Sequence, residues 1–121
     1  MKTLNVSTAW VPHYEIGHGV MMWTLFVPSH PGPVGFVWAT VTSSEDDAVQ
    51  VDVLGSYTAE DFRRQGVRSK IQDSIYSCWP DHSVVVTTGS GSESGEPWMI
   101  DHGYIYDEER RDWYVTREPK P

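Results

Sequence analysis

The chain has 121 residues, 39% of them hydrophobic and 21% charged, which suits one globular domain over residues 1–121 with a modest core. Its formal net charge of -8 argues against general nucleic-acid binding, because neutralising phosphates requires an excess of Lys and Arg. The acidic balance favours solubility and, as a second interpretation, cationic partners such as amines or basic protein surfaces.

The cysteine content and the start of the chain bear on the compartment. Cys78 is the single cysteine, so an internal disulfide framework is excluded and a reducing environment is expected. Residues 1–4 lack the apolar core of a signal peptide, and no apolar run is long enough to span a bilayer. We therefore predict a cytoplasmic protein with no membrane contact, and the sequence leaves a homodimer open.

Alternating apolar residues predict three strands in the first third of the chain. The first strand covers about residues 3–11, and a loop containing Pro, Gly and two His follows over 12–19. Residues 20–27 and 34–41 form the next two strands, and the three prolines within 28–33 mark the turn between them. The pattern predicts an antiparallel hairpin for these two strands.

The next segment predicts a fourth strand with two different faces. After an acidic turn at 43–47, residues 48–57 place three valines on one face and Asp52 on the other. Gly55 interrupts this strand, which indicates a bulge or the close approach of a ligand.

A helix and a further strand complete a β-α-β unit. From Val67 to Cys78 apolar residues recur with helical spacing on one stripe, and Pro80 ends the helix. We expect Cys78 to be a small buried residue of that stripe. Residues 83–88 predict a buried strand, parallel to its predecessor across the helix.

The last third of the chain predicts a short helix and a closing hairpin. A Gly/Ser-rich loop over 89–95 precedes a helix through His102, and Gly103 is suited to end it in the left-handed conformation. Residues 104–106 and 112–117 then form the hairpin. The complete order predicts a mixed α/β (α+β) sheet around one central β-α-β unit.

The segment between the fourth strand and the helix carries the main functional signal. It reads Arg63-Arg64-Gln65-Gly66-Val67-Arg68-Ser69. A helix N-terminus offers unpaired N–H groups and a partial positive charge, and a glycine lets the backbone approach an anion closely. The sequence therefore predicts a phosphate site around Gly66, with a solvated helix entry balancing Glu60 and Asp61 as the alternative interpretation.

In element order and motif spacing, the chain from about Val20 to Arg117 resembles the GCN5-related N-acetyltransferase (GNAT) family. Residues 63–68 are similar to the family's Gln/Arg-x-x-Gly-x-Gly/Ala loop, and residues 60–63 are similar to the Pro-Glu-Tyr-Arg approach to it. Residues 98–104, Trp-Met-Ile-Asp-His-Gly-Tyr, look like the Phe-Tyr-x-x-x-Gly-Phe segment. The resemblance implies a GNAT-like, mostly antiparallel mixed sheet with a central acyl-CoA-binding unit.

The resemblance implies acetyl-CoA as co-substrate and a primary amine, small or on a protein, as acceptor. Main-chain N–H groups of the loop would bind the CoA pyrophosphate, and the end of the fourth strand would hydrogen-bond the pantetheine arm. Arg68 or Lys70 would reach the adenosine 3′-phosphate. The residues assigned to the cofactor are Ser56, Tyr57, Thr58, Arg63, Arg64, Gln65, Gly66, Val67, Arg68 and Ser69.

Acetyl transfer needs a neutral amine, so a general base is expected. The resemblance implies Asp52, eleven positions before Arg63, whose alternative interpretation is a solvent-facing strand residue. The tyrosine that often protonates the departing CoA thiolate falls on Met99, which cannot donate a proton. The acid role is therefore either missing or taken by water, Tyr104 or Tyr106. Looser candidates for the base are His13, Glu15 and His18.

The segment before Val20 is short for the one or two helices that usually wall the acceptor pocket of the family, so we expect an N-terminally shortened member with an open acceptor side. Two alternatives to an acyltransferase remain at this point. One is a non-catalytic member that binds CoA or a protein partner. The other is an unrelated α+β module whose aromatic residues hold a small ligand. His13 and His18 lack further ligands at metal-binding spacing, so a zinc site is not expected.

Overall fold

The computed structural model describes the greater part of the chain. Among the described residues, side chains are described except those of residues 5–13, 18–19 and 96. The described residues are 5–13, 18–28, 30–43, 48–63, 65–89 and 96–119.

Seven strands form one mixed sheet. They are β1 (Asn5–His13), β2 (His18–Phe26), β3 (Gly35–Ser43), β4 (Val49–Thr58), β5 (Val84–Gly89), β6 (Ile105–Asp107) and β7 (Asp112–Arg117). Their spatial order is β1-β2-β3-β4-β5-β7-β6. Within the described residues β4 and β5 pair in parallel, and every other neighbouring pair is antiparallel. The predicted mixed, mostly antiparallel sheet with a central parallel pair is confirmed.

Two α-helices and a 3₁₀ turn connect the strands. The 3₁₀ turn (Glu60–Phe62) follows β4, helix α1 (Val67–Ser77) crosses from β4 to β5, and helix α2 (Glu96–Asp101) follows β5. Each helix adjoins a glycine at positive φ, namely Gly66 at 79° before α1 and Gly103 at 82° after α2. No helix within the described part of the chain is long and apolar enough to cross a membrane.

One face of the sheet packs against the helices, and we call it the covered face. It consists of alternate residues of the central strands, including Trp23, Leu25, Val37, Val51 and Val86, each 0% exposed. Residues of both helices belong to the same buried cluster. The predicted stripe of α1 supplies its apolar contacts through Val67, Ile71 and Ile75. A Cβ at Gly35 would press against Val67 Cγ1, so this glycine allows α1 to lie close to β3.

The opposite face, called the open face, carries larger and more exposed side chains. It includes Phe26, Phe36, Trp38, Asp52 and Tyr57, all of them half-buried or exposed. The Phe36 ring lies 5.4 Å from that of Trp38 and 5.2 Å from that of Tyr57, between ring centroids.

Two local expectations are corrected by the structure. The loop predicted over 12–19 is shorter, because Pro12 and His13 continue β1 and His18 and Gly19 begin β2. Pro12 is tolerated there because β1 is an edge strand, in which every second residue along the strand has an N–H that needs no partner. Cys78, expected to be buried, is exposed at the end of α1, and Gln72 is buried on the helix instead.

Candidate functional site

The turn before α1 has the backbone conformation that an anion site requires. Gly66 adopts φ 79° and ψ 15°, a left-handed conformation that favours glycine, and it stands at the N-cap of α1. A Cβ built on Gly66 meets nothing within 4 Å, so the space beside the turn is open. Gln65 and Gly66 are both exposed. The turn therefore presents its backbone to solvent.

The first N–H groups of α1 lack an acceptor among the described residues. The helix ladder begins with Lys70, whose N–H donates to the Gly66 carbonyl at 2.9 Å. Among the described residues, none accepts a hydrogen bond from the main-chain N–H of Gln65, Gly66, Val67, Arg68 or Ser69, and no side chain caps the helix. Such a cluster of free donors at the positive end of a helix dipole is suited to bind phosphate.

A free strand edge leads to this turn. β4 and β5 are paired from Val49 with Val84 to Val53 with Thr88, and beyond that point their pairing ends. β4 continues to Thr58 with β3 as its partner, so Ser56, Tyr57 and Thr58 pair on one side only among the described strands. Leu54 is an extra residue in this ladder, because Val53 faces Ala39 while Gly55 faces Trp38. The predicted bulge is thus at Leu54–Gly55, where the two parallel strands separate.

Gly55 itself accommodates an aromatic ring of the open face. A Cβ at this position would overlap the six-membered ring of Trp38, so only a glycine lets the indole lie against β4. The close approach that the sequence suggested is therefore made by a side chain of the same sheet.

Asp52 lies on the open face, one residue before the end of the parallel pairing. It faces Thr87 of β5 across the ladder, and the Thr87 hydroxyl donates to Asp52 Oδ1. The Gln50 side-chain amide donates to the same oxygen at 2.8 Å. The carboxylate is half-buried, and among the described residues no hydrogen bond is donated to its Oδ2. One carboxylate oxygen is thus held while the other stays available.

Arg68 and Tyr104 both lie against the Trp98 ring. The Arg68 guanidinium lies 5.2 Å from the centroid of the Trp98 ring, a cation–π contact, and burial lowers the pKa of Arg68. Tyr104 is 5% exposed, and burial raises the pKa of its phenol to about 12, an effect that the nearby Arg68 charge opposes. The Tyr104 hydroxyl, Arg68 Nε and Gln72 Oε1 are buried, and none of the three has a partner within hydrogen-bond distance among the described residues.

The first turn of α1 also contacts the end of α2 through polar side chains. Ser69 Oγ lies 2.8 Å from His102 Nε2, and the Trp98 indole N–H donates to the same Ser69 oxygen at 3.3 Å. His102 Nδ1 lies 2.8 Å from the Trp98 carbonyl oxygen, and the His102 ring stacks on Trp98 with centroids 4.2 Å apart. Sequence reasoning missed His102, although the Trp98-x-x-x-His102 spacing places both rings on one side of a helix turn.

The predicted cofactor residues fall into two backbone segments in the structure. Ser56, Tyr57 and Thr58 pair on one side only, and the turn from Gln65 to Ser69 follows them after the 3₁₀ turn. Arg63 is exposed beside this stretch, whereas Tyr104 is in the core. Tyr106 is exposed on β6 against Trp113. Arg64 and Glu15 lie outside the described residues, as do the side chains of His13 and His18. No group of three metal-ligating side chains occurs within the described part.

The sequence matches no protein-family model. It also matches no curated protein. Solved structures are similar in fold. Arabidopsis thaliana NAA60 in complex with acetyl-CoA has a TM-score of 0.64 at 12% identity, over 96% of this chain and 98% of that one. A GNAT-family acetyltransferase from Staphylococcus aureus has a TM-score of 0.61 at 13% identity, over 80% of this chain and 67% of that one.

A third similar structure is the IAA acetyltransferase from Bacillus cereus, with a TM-score of 0.57 at 11% identity over 94% of this chain and 99% of that one. These similarities cover between 80% and 96% of this chain. The strand order, the central parallel pair and the glycine turn before the crossover helix agree with that architecture. The chain therefore has the fold of the GNAT N-acetyltransferases.

Proposed function

We propose that this protein is a member of the GNAT family, a single domain over residues 1–121, and an acetyl-CoA-dependent N-acetyltransferase. One observation carries the proposal: the N–H groups from Gln65 to Ser69, which have no acceptor among the described residues, follow the one-sided edge of β4 after a single 3₁₀ turn (Glu60–Phe62). A diphosphate suits the N–H groups of the turn, and an amide-containing arm joined to it suits the adjoining edge of β4. The similar NAA60 structure is a complex with acetyl-CoA, which supports the choice of ligand.

The residues present fit this co-substrate. The turn supplies donors to a doubly charged diphosphate, and the β4 edge at Ser56 and Thr58 supplies donors and acceptors to the amides of pantetheine. Among the described residues, Arg63 and Lys70 are the exposed cations nearest in sequence to the turn, because Arg68 is directed at Trp98. Acetyl-CoA supplies the activated acetyl thioester.

Asp52 is proposed to accept a proton from the attacking amine. Thr87 and Gln50 fix its Oδ1, so Oδ2 is oriented and available for a proton or for a bridging water. The acceptor amine would approach from the open face, where Asp52 lies. The net charge of -8 favours a cationic acceptor.

A second candidate function is binding of CoA without catalysis. Met99 stands where the family often has its proton-donating tyrosine, and Tyr104 has a buried hydroxyl with a pKa of about 12. Such a phenol is poorly placed to protonate a leaving group. A thiolate is weakly basic, with an ordinary thiol pKa of about 8.5, so it leaves without strong acid assistance. The enzyme therefore remains the first candidate.

The test combines ligand-dependent melting with a thiol-release assay. At a hundredfold excess over Kd, CoA should stabilise the protein by about 2.7 kcal/mol. Acetyl-CoA with a panel of amines and basic peptides should then release free thiol. CoA binding without thiol release from any acceptor would select the binding function, and no CoA-dependent stabilisation would reject both.

A matched pair of glycine variants locates the ligand. Gly66→Ala and Gly103→Ala each introduce a Cβ into open space at a positive φ, so both should cost about 1–2 kcal/mol of backbone strain. Only Gly66→Ala should weaken CoA binding, because its Cβ enters the space in front of the free N–H groups. Equal CoA affinity of the two variants would show that the turn is not the diphosphate site.

A further inference from the structure

The contact between Ser69 and His102 has a definite proton arrangement. A carbonyl oxygen only accepts, so the 2.8 Å contact of His102 Nδ1 with the Trp98 carbonyl requires a proton on Nδ1. In the neutral ring Nε2 then carries a lone pair, and the Ser69 hydroxyl must donate to it across 2.8 Å. The Trp98 indole, a donor only, occupies a lone pair of the same hydroxyl at 3.3 Å.

This arrangement makes Ser69 a poor phosphate ligand while His102 is neutral. Its single hydroxyl proton is directed at His102, so the oxygen would present only a lone pair to an incoming anion. A phosphate oxygen also presents lone pairs, and the two repel. Ser69 belongs to the first turn of α1, three residues after Gly66, and its N–H is one of the free donors. While His102 is neutral, the Ser69 hydroxyl therefore directs its proton at His102 and cannot donate to an anion at the turn.

A proton on His102 reverses the arrangement. With both ring nitrogens protonated, Nδ1 still donates to the Trp98 carbonyl and Nε2 donates to Ser69 Oγ. The Ser69 oxygen then accepts two hydrogen bonds, from His102 and Trp98, and its own proton is free to donate to an anion. The positive ring adds an attraction for the same anion.

We propose that His102 is a positioning residue that couples diphosphate binding at the Gly66 turn to the uptake of one proton by its ring. The inference rests on the proposed function, because it takes the diphosphate of CoA as the anion. The proton comes from solvent, and the Ser69 hydroxyl keeps its own proton and only redirects it. His102 is exposed, so the proton can exchange with water.

Neighbouring charges act on this ring with both signs. α1 contributes Arg68, held over Trp98, together with exposed Lys70 and Asp73, and α2 contributes exposed Asp101. Tyr104, which follows, is buried with its phenol neutral below a pKa of about 12. The cations oppose a proton on His102 and the two carboxylates favour it. A bound diphosphate adds two negative charges on the side of Ser69, which decides the balance.

The test measures binding of dephospho-CoA by calorimetry from about pH 8 to about pH 6, the interval in which histidines ordinarily titrate. Dephospho-CoA is the probe because its diphosphate keeps its charge throughout this range, whereas the 3′-phosphate of CoA titrates within it. The wild-type affinity should increase as the pH falls, by up to about tenfold per pH unit at full coupling. Proton uptake, measured in buffers of different ionisation enthalpy, should accompany binding.

His102→Gln should remove the pH dependence and the proton uptake, and Ser69→Ala should reduce both, because only the direct attraction between the charged ring and the anion is left. His82→Gln is the matched control, because His82 is exposed and, among the described residues, hydrogen-bonds only through its main chain, to Trp79 and Arg117. It should bind as the wild type does at every pH. A wild-type pH dependence that survives in His102→Gln, or no pH dependence in the wild type, would overturn the inference and leave the proposed function intact. Absence of binding at every pH by the folded wild type would overturn both.

Discussion

The covered and open faces of the sheet differ in what their residues do. On the covered face, neighbours such as Trp23, Leu25 and Val37 are completely enclosed and pack against α1. On the open face, the rings of Phe36, Trp38 and Tyr57 contact one another and remain partly exposed. The Asp52 carboxylate of the same face accepts hydrogen bonds from Thr87 and Gln50. Polar and exposed groups bury little apolar surface, so the covered face supplies most of the stability. The open face carries the proposed chemistry.

The largest expected effect is on catalysis, from Asp52→Asn on the open face. Asn keeps an oxygen for the hydrogen bonds from Gln50 and Thr87 but cannot take a proton, so acetyl transfer should slow about 10²–10⁴-fold. Steady-state thiol release measures the rate, and thermal melting should show a nearly unchanged fold. Asp73→Asn, an exposed carboxylate on α1, is the control. An unchanged rate in Asp52→Asn would show that Asp52 is not the general base.

The next effect is on stability, and it compares adjacent residues of β2. Leu25 is 0% exposed on the covered face, and Phe26 is 43% exposed on the open face. Leu25→Ala should lower the free energy of unfolding by about 2–5 kcal/mol, as large-to-small core changes do. Phe26→Ala should stay within about 0.5 kcal/mol. Urea unfolding measures both, and similar losses would contradict the division between faces.

A third prediction concerns alkaline pH and the covered cluster. Burial raises the pKa of Tyr104 from 10.0 to about 12 in the folded protein. The stability that depends on the neutral phenol is complete below the unfolded value and is lost as the pH rises through the folded value. The free energy of unfolding should thus fall by up to about 3 kcal/mol between those two pKa values, and less in Tyr104→Phe.

Unfolding at a series of alkaline pH values, with tyrosinate absorbance as a second signal, tests this loss. An identical alkaline loss in Tyr104→Phe and in the wild type would show that other groups dominate it. A phenol that titrates near its ordinary value would mean that the covered cluster is open to water at Tyr104.

The smallest effect is expected at the bulge on the open face. Gly55→Ala would put a methyl group into the Trp38 ring, so the indole must move, at a cost of about 1–3 kcal/mol. Gly32→Ala, where a Cβ meets nothing within 4 Å, should be nearly neutral. Urea unfolding compares the two variants. Equal stability would mean that the Trp38 ring is loosely held, which would make the open face more adaptable than its packing indicates.

Much of the local structure follows from the sequence for identifiable reasons. The stripe of Val67, Ile71 and Ile75 gives the helix, because helical spacing brings these residues to one face. Gly66 and Gly103 mark two of the three positive-φ positions among the described residues, since most other residues avoid that conformation; the third is Arg111, at φ 56°. The resemblance to GNAT proteins gave the fold, and the strand order confirms it. The roles assigned to the site residues remain predictions.

What the sequence alone determined about this protein is therefore its local conformations and its element order, which depend on neighbours a few residues apart. The tertiary structure decided which distant groups meet: Asp52 with Thr87, 35 positions on, and Ser69 with His102, 33 positions on. It also turned Arg68 towards Trp98 and left Cys78 exposed. Such contacts depend on strand register and helix packing, and these are fixed by the burial of the whole core.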